Sequence, residues 1–75
     1  MSEEFDEDKI RSILNDIKDS LNRFDYTSAE QCITQLKAYE FSKEQGVLVK
    51  EIKMYIDDFE PEKAIEFIEK LVNIL

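Results

Sequence analysis

Seventy-five residues with a formal net charge of -8, one Gly, one Pro, one Cys and no His set one domain as the ceiling and remove the commonest general base and metal ligand. A chain that is 37% charged, 43% hydrophobic and this poor in turn residues has the composition of a soluble all-α protein. Its acidity repels phosphate backbones and anionic lipid, so neither nucleic acid nor a membrane surface is an expected partner, and no apolar run approaches the roughly 20 residues of a membrane span.

Along the chain, Glu3, Glu4, Asp6, Glu7 and Asp8 supply five acids before the first base, Lys9, and read as an acidic flexible tail over residues 1–8. This start lacks the basic flank and apolar stretch of a secretory signal, and the expected location is cytoplasmic. From there Ile10, Ile13, Leu14, Ile17, Leu21 and Phe24 recur three and four apart, predicting a first helix over about 7–23 with those residues on one face. Ala29, Cys32, Ile33 and Leu36 repeat the spacing and predict a second helix over about 27–40. Its start has two candidate caps, Thr27 in a capping box and Asp25. Cys32 falls on the apolar face with no histidine near it in sequence and reads as a buried, inert thiol, in keeping with a reducing compartment.

A third helix is predicted over about 43–58, carrying Leu48, Val49, Ile52, Ile56 and Phe59. It opens on Ser42-Lys43-Glu44-Gln45, where the Ser hydroxyl can accept from the third helical N–H while Gln45 reaches back. Pro61 suits the first turn of a fourth helix over about 61–74, which carries Ala64, Phe67, Ile68 and Leu71 on its core face, with Leu75 one step beyond. Glu66 and Lys70, four apart, read as an ordinary helix-face pair.

Sliding the chain by 35 residues superposes Ile17 on Ile52, Lys18 on Lys53, Phe24 on Phe59, Ala29 on Ala64, Ile33 on Ile68 and Leu36 on Leu71. The same offset sets the break Phe24-Asp25-Tyr26 on Phe59-Glu60-Pro61. Two copies of one helical hairpin follow, with repeat 1 about 9–40 and repeat 2 about 44–75, and they can bury their apolar stripes only against each other. The expected fold over 9–75 is an antiparallel up-down four-helix bundle, with a tetratricopeptide-like solenoid as the competing architecture. Each duplicated Phe is expected to be buried, either folded back onto the small residue one turn on, Ala29 or Ala64, or simply as core.

No grouping supplies catalytic chemistry. Asp6 with Asp8 lacks the glycine and distal Glu of a calcium loop, Asp57 with Asp58 has no setting to perturb it, and Gly46 stands outside any phosphate-binding cradle, so neither an enzyme, a metal site nor a cofactor is expected. The second hairpin instead has apolar residues beyond one stripe: Met54, Tyr55, Ile65, Val72 and Ile74 form a candidate interaction face for a protein partner.

The phrase Arg23-Phe24-Asp25-Tyr26-Thr27-Ser28-Ala29-Glu30, then Asp58-Phe59-Glu60-Pro61-Glu62-Lys63-Ala64-Ile65, resembles the doubled "F-D-x-x-x-A" hairpin at the C-terminal end of bacterial hybrid sensor histidine kinases and multi-domain response regulators. The similarity spans roughly residues 9–75. It implies a signalling module without an active site of its own, meeting attached or separate kinase and receiver domains, with Phe24, Asp25, Ala29, Phe59, Glu60 and Ala64 as its signature. Having no His, the chain departs from a phosphotransfer domain, and no phosphorylated residue carries over. The alternative is a free-standing helical adaptor or homodimer that binds a partner helix through the candidate face.

Overall fold

The computed structural model describes residues 6–75, which form four helices: α1 Glu7–Asn22, α2 Tyr26–Leu36, α3 Lys43–Asp57 and α4 Pro61–Ile74. α1 begins where Asp6 accepts from the Lys9 N–H at 3.2 Å, so Asp6, Glu7 and Asp8 supply the cap and first turn of a helix, where acids suit its positive end. The rest of the predicted tail lies outside the described residues. At α2 the cap is Asp25, which accepts from the Ser28 N–H at 3.1 Å and from the Ser28 hydroxyl at 2.8 Å; Thr27 lies inside the helix. The capping box at Ser42 and Gln45 forms in both directions, at 3.2 and 3.0 Å.

α2 stops at Leu36, short of the predicted residue 40. Lys37, Ala38 and Tyr39 bond back three residues, to Thr34, Gln35 and Leu36, and this tighter winding ends the α-helix. The connecting segment then lays Tyr39 and Phe41 against the core.

α1 packs on α2 and α4, and α3 packs on α4 and α2; among the described residues α1 and α3 do not meet, nor do α2 and α4. At the centre lie Ile10, Leu14, Ile17, Leu21, Ala29, Ile33, Leu36, Ile52, Ile56, Ala64, Ile68 and Leu71, all essentially solvent-free. Five pairs separated by 35 residues are buried together in that set: Ile17 with Ile52, Leu21 with Ile56, Ala29 with Ala64, Ile33 with Ile68, and Leu36 with Leu71. Only Ile10 and Leu14 stand without such a counterpart, since Gln45 and Val49 are half-buried. Ser20 is the one polar residue buried among the described residues, its hydroxyl donating to the Asp16 carbonyl at 2.9 Å.

Phe24 and Phe59 overturn the expectation that they are buried: they are 70% and 68% exposed. The 3.6-residue phase that placed them on the core face holds only while the backbone is helical. Here α1 ends at Asn22 and α3 at Asp57, and both Phe residues take positive φ, 56° and 58°, which swings the ring outward. Cys32 is half-buried, with its thiol pushed up by burial first and by the charge of Asp16 second, and so remains protonated near neutrality.

Candidate interaction surface

The two short turns share one backbone design. After α1, the Phe24 N–H donates to the Leu21 carbonyl at 3.0 Å and the Asp25 N–H to the Ser20 carbonyl at 2.8 Å. After α3, the Phe59 N–H donates to Ile56 at 3.1 Å and the Glu60 N–H to Tyr55 at 2.9 Å. This is the Schellman arrangement, which satisfies the last carbonyls of a helix and normally uses Gly at the left-handed position. In both turns that position holds Phe, whose Cβ makes the conformation costly by about 1 kcal/mol.

Tyr26, two residues after Phe24, meets Phe59 edge to face with centroids 4.9 Å apart, so the two turns lie together at one end of the molecule. Beside this contact runs a shallow groove lined by Tyr26, Thr27, Glu30, Ile56, Asp57 and Phe59. Along its charged side Lys53 joins α3 to α2: its ammonium lies 2.8 Å from Asp57 Oδ2 and 3.9 Å from Glu30 Oε2. A proton on Glu30 can be donated to the Asp57 carboxylate. That hydrogen bond, with desolvation and the Asp57 charge, holds Glu30 above its ordinary range, against the opposing pull of Lys53 and Lys37. Asp57 is held low, first by the same Glu30 hydrogen bond and then by Lys53, and Lys53 is held high by its hydrogen bond to Asp57.

The other signature residues divide by role. Ala29 and Ala64 are fully buried, and Asp25 is the cap. Hydrogen bonds to the Ser28 N–H and hydroxyl are the main causes holding the Asp25 carboxyl low. Glu60 occupies the corresponding position before α4 but makes no capping hydrogen bond.

The face predicted from Met54, Tyr55, Ile65, Val72 and Ile74 is divided. Tyr55, Ile65 and Val72 are half-buried and packed against the core, while Met54 and Ile74 are 44% and 38% exposed. Adjacent residues on a helix point about 100° apart, which turns Met54 away from Tyr55 and onto the side of α3 that carries Val47. Tyr55 instead meets Phe67 of α4 at 5.1 Å, with Lys63 5.7 Å from the Tyr55 ring centre and Lys70 4.3 Å from that of Phe67. Lys70 is thus drawn over an aromatic ring, and no ion pair joins it to Glu66 among the described residues.

Residue-by-residue reasoning missed the surface at the turns because hydrophobic periodicity assigns every in-phase Phe to the core. The signal that could have found it was already visible: the same Phe immediately before Asp25 and Glu60, at a helix stop that lacks Gly. Among the described residues no helix is long and apolar enough to cross a membrane, and no group of three or more Cys, Asp or Glu could hold a metal ion. The chain matches no known protein family, curated protein or solved structure.

Proposed function

We propose that the chain is a non-catalytic protein-interaction module that binds through the aromatic end made by its two turns. The observation carrying this reading is the exposure of two Phe rings, each on a left-handed backbone, at turns held together by the Tyr26–Phe59 contact. A fold that needed only to turn the chain would be better served by Gly at both positions. Rings held outward at a cost to stability suit contact with another molecule. The resemblance of the doubled signature supports two-component signalling as its setting, with kinase or receiver domains as the proposed partners.

The architecture that fits this role is an antiparallel up-down bundle of two copies of one hairpin. Its support is the closed ring of helix neighbours, the two equivalent turns and the five buried pairs 35 residues apart. A two-repeat solenoid would set α1 against α3 and keep α1 away from α4, the reverse of the observed packing. The adaptor reading retains one observation in its favour, the exposed Val47 and Met54 on the outer side of α3.

Titrating the isotope-labelled chain with purified receiver and histidine-kinase domains tests the proposal. Amide shifts should concentrate at residues 23–30 and 56–63, and binding should be lost when Phe24→Asn and Phe59→Asn are combined, since Asn tolerates the left-handed backbone without supplying a ring. Binding that survives this double variant but fails in Val47→Ser with Met54→Ser would transfer the function to α3 and the adaptor reading. Binding to neither domain would remove the two-component assignment.

A further inference from the structure

The end that displays the two rings is also acidic. In and beside its turns lie the acids Asp25, Glu30, Asp57, Asp58, Glu60 and Glu62 and the cations Arg23, Lys37, Lys53 and Lys63. Asp25 is committed to capping α2, and Asp57 is paired with Lys53. Asp58, Glu60 and Glu62 are exposed, and their side chains have no hydrogen-bond or ion-pair partner among the described residues. Lys63, the nearest cation in sequence, lies over Tyr55 on the flank. Phe59 is therefore a mostly exposed ring set among carboxylates with spare acceptor capacity, and the adjoining groove adds Tyr26 to its lining.

From this charge pattern we infer that the aromatic end docks a basic, amphipathic segment of a protein partner. Its apolar side chains cover Phe24 and Phe59, while its Arg or Lys side chains lie on the aromatic faces and pair with Asp58, Glu60 and Glu62. A cation over an aromatic face is attracted by the ring quadrupole, and its aliphatic stem covers apolar surface at the same time. Of the other occupants, a second copy would set the same carboxylates against one another across a two-fold axis, and nucleic acid or anionic lipid would bring phosphate to an acidic surface. The inference rests on the reading of this end as the binding surface and adds the chemistry of what binds.

The test uses the whole chain and three synthetic amphipathic peptides with identical Leu spacing, whose polar positions are all Arg, all Gln or all Glu. The Arg peptide should bind with amide shifts confined to residues 23–30 and 56–63, weakening as salt is raised. Its affinity should fall about tenfold in Asp58→Asn/Glu60→Gln/Glu62→Gln, and by a similar factor in Phe24→Asn/Phe59→Asn. It should be unchanged in Glu7→Gln/Asp8→Asn/Glu44→Gln, which removes three acids away from these turns. Equal weakening by the latter variant would show attraction to net charge alone and overturn the inference. If the Gln peptide binds at this end as tightly as the Arg peptide and depends on the two rings, the basic partner is wrong while the docking surface stands. If no peptide binds there and the signalling domains leave residues 23–30 and 56–63 unperturbed, both fall.

Discussion

The turn after α1 and the turn after α3 share one pattern of backbone hydrogen bonds and have different side-chain commitments. Phe24 and Phe59 differ by only 2° in φ, and each stands in the same pair of backbone hydrogen bonds. Yet Asp25 caps its helix and Glu60 does not, and Phe59 has a ring partner in Tyr26 while no ring contact involves Phe24 among the described residues. What the two turns share is the conformation that satisfies a helix end; the side chains are free to differ because they sit outside the core. Local backbone design and surface chemistry are therefore separable here, and each can be perturbed alone.

The largest expected effect tests the shared part. Ile33→Ala and Ile68→Ala each remove a fully buried side chain at positions 35 residues apart, and each should cost about 2–5 kcal/mol in urea unfolding. Losses of similar size would match the equal burial of the two side chains. A large loss in one and a negligible loss in the other would break the equivalence. Next comes the caps: Asp25→Ala should lower the melting temperature by on the order of 5 °C, and Glu60→Ala should leave it nearly unchanged, because only Asp25 satisfies a helical N–H. Equal losses would mean that Glu60 contributes to α4 by its charge near the helix start.

Gly at the left-handed positions separates strain from contact. Phe24→Gly should stabilise the chain by roughly 0.5–1 kcal/mol, since it removes a Cβ clash and no ring contact. Phe59→Gly should gain less, because the edge-to-face contact with Tyr26 offsets the relief by about 0.5–1.5 kcal/mol. If both variants destabilise equally, the rings contribute more to the fold than their exposure allows.

How far the fold could be read in advance follows from the same separation. Apolar periodicity located four helices because the core residues obey it; Ile17, Leu21, Ile33, Ile52, Ile56, Ile68 and Leu71 are all buried as their spacing requires. It failed at Phe24 and Phe59, since periodicity cannot register that the helix has ended two residues earlier and that φ has changed sign. It failed at residues 37–40 for a related reason: bonds to the third preceding carbonyl look, in sequence, like more helix. The predicted face on the second hairpin assumed that leftover apolar residues gather together. Met54 and Tyr55 are adjacent, however, and adjacency on a helix separates side chains.

The smallest expected effect concerns the charged contact that joins α2 to α3 beside the aromatic end. Glu30 titrates higher in the folded chain than in the unfolded one, so between those two values the folded state binds more protons and its stability falls as pH rises. Asp57 and Asp25 titrate lower when folded; their contribution is complete above the unfolded value and is lost as pH falls through the folded one. The opposing slopes give a shallow stability maximum near the ordinary carboxylate range, seen as melting temperature against pH. Glu30→Gln should flatten the limb above that maximum and shrink the acid limb, which then rests on Asp25 and on Asp57 as held by Lys53 and Lys37. Asp57→Asn should weaken both limbs, because it removes one titrating carboxylate and the acceptor that keeps a proton on Glu30. An unchanged profile in Asp57→Asn would mean that the contact between Glu30, Lys53 and Asp57 contributes nothing to holding α2 against α3, and the two helices would then depend on apolar packing alone.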